Sequence, residues 1–208
     1  MFSLPSSWKS VAIAGVFVSA LAAQVPEGWM LAGNKPADYD CSIDPTTSYQ
    51  GLVSTYIKSK SGIETSGFGT LSQYFGAARF AGKRVRFSAQ LKSDAIEKHG
   101  SVEGWAGLWL RIDDNNHGSN ASPRVVGFDN MHQTGVDRAV KGTTPWRNYA
   151  VVLDVPEGAT GIGLGVLLSG SGAIWISNIK FDVVGPEVPV TASMPPTRTG
   201  PENLGFEK

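Results

Sequence analysis

The sequence predicts an all-β, antiparallel, jelly-roll-like sandwich in a single domain. Three observations predict it. Period-two alternation of apolar and polar residues recurs along the chain, and turn chemistry rich in glycine and proline separates the alternating runs. No run alternates with a long amphipathic helix, as a parallel βαβ fold would require. The composition agrees: 208 residues with 25 glycines and 12 prolines, 41% hydrophobic and only 17% charged. That length buries a core without disulfide staples.

The elements follow in order. Strands are expected over 53–60 and 67–75. The run 84–92 alternates most clearly: Val85, Phe87, Ala89 and Leu91 take one face, Arg84, Arg86, Ser88, Gln90 and Lys92 the other. Over 104–113, Ala106, Leu108, Leu110 and Ile112 oppose Trp105, Gly107, Trp109 and Arg111. Strands at 124–131 and 146–154 come next. In 161–168, Ile162, Leu164, Val166 and Leu168 oppose Gly161, Gly163, Gly165 and Leu167. The last long strand covers 173–184. Turns are read at 81–83, 141–145, 155–158 and 169–172. Residues 93–99 read as either a weak helix or a loop.

The ends read differently. Lys9, the apolar run 11–18 and the small residues Ala20 and Ala22 form a secretory leader over 1–23, too short for a membrane span. The expected product is secreted, or resident in the secretory lumen, with no membrane attachment after cleavage. The sandwich is expected over 24–184. Residues 185–208 form a proline-rich tail, whose segment 203–207 either returns as a strand beside 28–31 or ends free. Asn120 heads the sequon Asn120-Ala121-Ser122 in a polar loop, a glycosylation site that the following Pro123 disfavours.

Several chemistries are excluded or left open. Eighteen basic and 18 acidic residues, with no basic block, give nothing for a nucleic acid. His99, His117 and His132 lack metal-ligand spacing, and there is no nucleophile elbow or phosphate loop, so no metal or cofactor is expected. Asp113 and Asp114 read as a solvated turn ahead of a calcium site. Cys41, the only cysteine, reads as a buried small hydrophobe. Its pairing with a second chain, and hence an oligomer, stays open.

What remains is an open face. Trp105, Trp109 and Arg111 point away from the expected core, and the glycines of 161–168 leave room beside them. Phe128, Asp129, Asn130 and Met131 follow nearby. These residues compose an aromatic groove with a few polar groups, as small-molecule sites are composed. Alternation sets Asp129 opposite Phe128 and Asn130, so they share one face only if a bulge intervenes. Trp146, Tyr149 and Trp175 read as core or sheet-edge anchors.

The residues 49–51, the strand 82–89, and the stretch 146–181 with Val155-Pro156-Glu157-Gly158 and the late Trp175 resemble galactose-binding-like and carbohydrate-module sandwiches. The late aspartate pair of such modules is Ser177-Asn178 here, which departs from their pattern. The resemblance implies glycan binding without catalysis: Trp105 and Trp109 would stack on sugar rings, and Arg111, Gln90 and Asn130 would bind hydroxyls. In size, leader and strand pattern the chain also resembles the small secreted fungal β-sandwich hetero-Diels–Alderases of tropolonic sesquiterpenoid pathways. That resemblance implies a cofactor-free enzyme that joins a tropolone o-quinone methide to a humulene-type alkene. Trp105, Trp109, Phe128 and Met131 would then wall an apolar, aromatic substrate. Arg111 and Asn130 would donate to its oxygens, and Asp129 would assist loss of water.

Overall fold

The alternating runs become the two facing sheets of a sandwich. The computed structural model describes residues 25–62, 67–115, 123–133 and 136–191. The leader, Asn120 and the segment 203–207 lie outside them. Among the described residues there are twelve strands: β1 (Met30–Gly33), β2 (Tyr39–Tyr49), β3 (Leu52–Ser59), β4 (Phe68–Gly76), β5 (Arg84–Glu97), β6 (Trp105–Asp114), β7 (Arg124–Asp129), β8 (His132–Gln133), β9 (Val136–Asp137), β10 (Gly142–Asp154), β11 (Gly161–Ser169) and β12 (Ser171–Val184). One 3₁₀ turn, Pro36–Asp38, precedes β2.

One five-stranded sheet has the order β1-β4-β11-β6-β7, the other β10-β5-β12-β3-β2, and all pairings are antiparallel. β8 and β9 form a separate small hairpin. The inner faces meet as alternation requires. Leu108, Leu110, Ile112, Val166 and Leu168 of the first sheet, and Val85, Phe87, Leu91 and Val151 of the second, are each 0% exposed. Each such side chain contributes roughly 1.5–3 kcal/mol of burial. Phe75, Phe80 and Phe181 close one end of the core edge to face, with centroids 5.1–5.9 Å apart.

Two expectations are corrected. Residues 93–99 are neither helix nor loop through most of their length, because β5 runs on to Glu97. The apolar–polar pattern fails there because a polar residue, Ser93, fills the next inward position, its hydroxyl beside Gly142 O at 3.0 Å and Thr144 Oγ1 at 2.9 Å, and because Ala95, at φ +46, shifts the parity so that Ile96 turns inward. Residues 141–145 are not purely a turn, since β10 begins at Gly142 and passes Pro145 within a register shift. That position is where a strand tolerates proline. β2 is an additional strand at the sheet edge, with a shift between Asp44 and Ser48 around Pro45. Cys41 of β2 is buried, and burial pushes its thiol pKa up to about 12.

Candidate functional site

The outer face of the first sheet carries a groove of about 430 Å³, within the usual range for ligand sites. β1, β4, β6, β7 and β11 each contribute to it. From β6 come Trp105, Trp109 and Arg111; from β4, Phe68, Thr70, Ser72 and Tyr74; from the end of β7, Phe128 and Asn130. Ala32, Gly33 and Leu167 complete it.

Register explains how the aromatic floor forms. Trp109 pairs with Gly165 of β11, and Gly165 pairs with Ser72 of β4. A Cβ on Gly165 would stand 2.8 Å from Trp109 Nε1, so the indole lies across this glycine. Its Nε1 donates to Thr70 Oγ1 at 2.7 Å, and that hydroxyl donates to Val166 O at 2.9 Å. Gly163 serves Tyr74 in the same way, since a Cβ there would sit 2.4 Å from the ring. The two rings meet at 6.0 Å and 50°. The room left by the β11 glycines is thus filled by the protein's own Trp109 and Tyr74, which correct the expectation of empty space. Trp109 is only 7% exposed and forms the floor, while Tyr74 is 56% exposed and stands at the rim.

The ends of the groove are polar. Trp105 stacks on His132 at 4.5 Å and 32°. His132 lies 3.1 Å from Glu103 and 3.2 Å from Asp137, and Lys141 donates to both carboxylates at 2.9 Å. Lys141 heads the groups that hold Glu103 and Asp137 below the usual carboxylate range. Arg111 donates from Nε to Asp113 Oδ1 at 2.7 Å, which fixes the guanidinium at the groove wall. Asn130 accepts from His132 N at 3.0 Å.

Three expected site residues lie elsewhere. Asp129 is 1% exposed on the core side, as its parity against Phe128 dictates. It accepts from Met131 N at 2.8 Å, from Thr191 Oγ1 at 2.6 Å and from Arg138 Nη2, so it joins strand ends together and takes no part in the groove. Met131 is 1% exposed. With φ +64 it turns out of the strand path, and its sulfur accepts from Leu108 N at 3.2 Å. Gln90 stands on β5 of the opposite sheet, in a different cleft.

Tyr74, Phe68, Thr70 and Ser72 were not among the expected residues. Their signal is the even-numbered face of the run 67–75, which mixes hydroxyls with rings and so marks neither a core nor a solvated face. Trp175 lies on the outer face of the second sheet, its Nε1 donating to Asp44 at 2.8 Å and Lys92 5.2 Å from its ring. Trp146 meets Tyr49 at 5.8 Å. Asp113 is engaged by Arg111, and among the described residues no group of three or more His, Cys, Asp and Glu side chains is placed to hold a metal ion.

No family model matches the chain. It is 37% identical over 184 residues to the Bacillus subtilis (strain 168) protein YbfP, described as an uncharacterized HTH-type transcriptional regulator. The match covers 88% of this chain but spans only 57% of that protein. Among solved structures, the enzymatically active domain of bacteriophage CBA120 tailspike protein 4 superposes with a TM-score of 0.52 at 14% identity. That match covers 76% of this chain and 20% of the tailspike chain, and it is a likeness of fold. The CBM22-1 xylan-binding domain of Paenibacillus barcinonensis Xyn10C gives 0.47 at 17% identity, over 76% of this chain and 86% of that domain. A score that low carries no inference about what this chain binds. Nothing in these comparisons supports the cycloaddition resemblance.

Proposed function

We propose that this protein binds carbohydrate without transforming it, and that the groove on the outer face of the first sheet is the binding site. The carrying observation is the arrangement of Trp105, Tyr74 and Phe128 around a Trp109 floor, with Arg111 and Asn130 at the wall. A sugar ring has an apolar face of C–H groups and an equatorial belt of hydroxyls. The first suits aromatic rings, and the second suits fixed hydrogen-bonding groups at the wall. The leader read over 1–23 would deliver such a protein to where free glycans occur.

The distribution of acid groups favours binding over catalysis. Among the described residues the lining includes no carboxylate, Asp113 behind it is tied to Arg111, and Asp129 faces the core. General acid–base work on a bound sugar or a tropolone alcohol would need a titratable group free to reach the ligand, and those nearest the groove, His132, Glu103 and Asp137 beside Trp105, are engaged with one another and with Lys141.

Isothermal calorimetry of the full chain against a panel of neutral oligosaccharides, beside a turnover assay with tropolone and humulene partners, tests the reading. Saturable binding of at least one oligosaccharide, weakened roughly tenfold or more by Trp105→Ala, is expected. Turnover without sugar binding, or no binding across the panel, overturns it.

A further inference from the structure

The second sheet carries a cleft of different chemistry, about 320 Å³ in volume, on the side of the molecule facing away from the aromatic groove. Its lining is Arg86, Ser88 and Gln90 of β5, Asn148 and Ala150 of β10, and Asn178 and Lys180 of β12. Register accounts for the convergence. Gln90 pairs with Asn148 on one side and Ser177 on the other, and Ser88 pairs with Ala150 and Lys180. The shift between Ser177 and Lys180 is a bulge, and within it Asn178 adopts φ +49. Bulges re-aim side chains, and asparagine tolerates the left-handed region better than most residues. The distortion delivers one more amide to the cleft.

These polar groups are not spent on one another. Among the described residues, the side chains of Ser88, Gln90, Asn148, Asn178 and Lys180 make no hydrogen bond or ion pair. Ser88 is nevertheless a buried residue, only 7% exposed. Arg86 is only partly satisfied: Nη2 pairs with Asp182 at 3.2 Å, while Nε is buried without an acceptor. Buried or half-buried polar groups normally find partners, and an orphan in a native structure calls for an explanation. Among the described residues the lining offers three carboxamides, a hydroxyl and two cations, and no carboxylate.

We propose that this cleft is a second ligand site, for a hydroxylated molecule bearing a carboxylate, such as a uronic-acid residue of an acidic glycan. Lys180 and Arg86 would meet the carboxylate by charge-assisted hydrogen bonds. Gln90, Asn148, Asn178 and Ser88, each able to donate and accept, would meet the ring hydroxyls. The site does not depend on what the aromatic groove binds.

The test follows the side-chain amide resonances of the ¹⁵N-labelled full chain during titration with a uronic-acid disaccharide and, separately, its neutral counterpart. The acidic sugar is expected to shift the amides of Gln90, Asn148 and Asn178 saturably. Its affinity should fall roughly tenfold or more in Lys180→Gln, an exposed position that leaves folding intact, and should be unchanged in Trp105→Ala. Shifts of equal size and affinity with the neutral sugar would overturn the assignment. So would the absence of shifts with either sugar, or binding indifferent to Lys180→Gln.

Discussion

Trp109 and Thr70 are joined by a hydrogen bond of 2.7 Å from the indole Nε1 to the threonine hydroxyl, spanning from β6 over the glycine of β11 to β4. Since Thr70 passes its own proton to Val166 O, a single orientation of its hydroxyl satisfies both bonds. The floor of the groove is therefore set by the sheet's hydrogen bonding as well as by packing. Thr70→Val keeps the shape and removes the acceptor. It should cost about 1–3 kcal/mol in urea unfolding, because the indole N–H is left buried and unpaired. An unchanged unfolding midpoint would mean that the bond contributes nothing.

Two glycine substitutions on β11 should separate stability from binding. At Gly165 an added Cβ meets Leu71 O at 2.3 Å, and a backbone atom cannot swing aside. At Gly163 it meets the ring of Tyr74, which is 56% exposed and can rotate away. Gly165→Ala should lower the thermal midpoint by several degrees, in line with an overpacking cost of about 1–3 kcal/mol. Gly163→Ala should leave the midpoint nearly unchanged and weaken glycan binding by displacing the Tyr74 rim. Calorimetry on both variants checks the contrast.

Asp129 should be structural. Its carboxylate is 2% exposed and pairs with Arg138, whose Nη1 also donates to Ala150 O at 2.9 Å. Asp129→Ala should cost about 3–5 kcal/mol, since it strands a partly buried guanidinium. Any loss of ligand binding should follow the fraction unfolded. A variant that folds at full stability yet loses binding would return Asp129 to the site.

The Trp175–Asp44 contact should be visible in acid. Burial raises the Asp44 pKa, but hydrogen bonds from Thr46 Oγ1, Trp175 Nε1 and the amides of Thr46 and Thr47 outweigh it and hold the carboxyl well below the usual range. A depressed folded pKa stabilises the protein above the unfolded value of about 4, and this contribution is lost as pH falls below it. Trp175→Phe removes one donor, so its stability should fall less steeply with acidification below about pH 4. Urea midpoints at stepped pH for the two proteins measure this, and parallel curves would refute it.

Much of this was legible in the sequence because alternation is a strong signal where one face is fully buried. The runs 84–92, 104–113 and 161–168 each separate core from outer residues as the structure does. The edges were less legible. β2 carries Pro45 and polar residues that only an edge strand accepts, and β1 has four residues. Parity alone puts Asp129 inward and Met131 with it, whereas the left-handed turn that brings the Met131 sulfur to Leu108 N is not written in alternation. Tyr74 could not be placed, because its position depends on which strand neighbours β11, and pairing order is not written in any local pattern. For the same reason, alternation places Gln90 on the outer face of its strand but cannot tell that this face belongs to the second sheet.

The most direct measurement follows the indole N–H resonances of the six tryptophans while a neutral oligosaccharide is titrated into the full chain. The signals of Trp105 and Trp109 should move together and saturate, with those of Trp146 and Trp175 on the opposite sheet unmoved. Saturating sugar that leaves Trp105 and Trp109 unchanged, or that moves only Trp146 and Trp175, would contradict a carbohydrate site on the outer face of the first sheet.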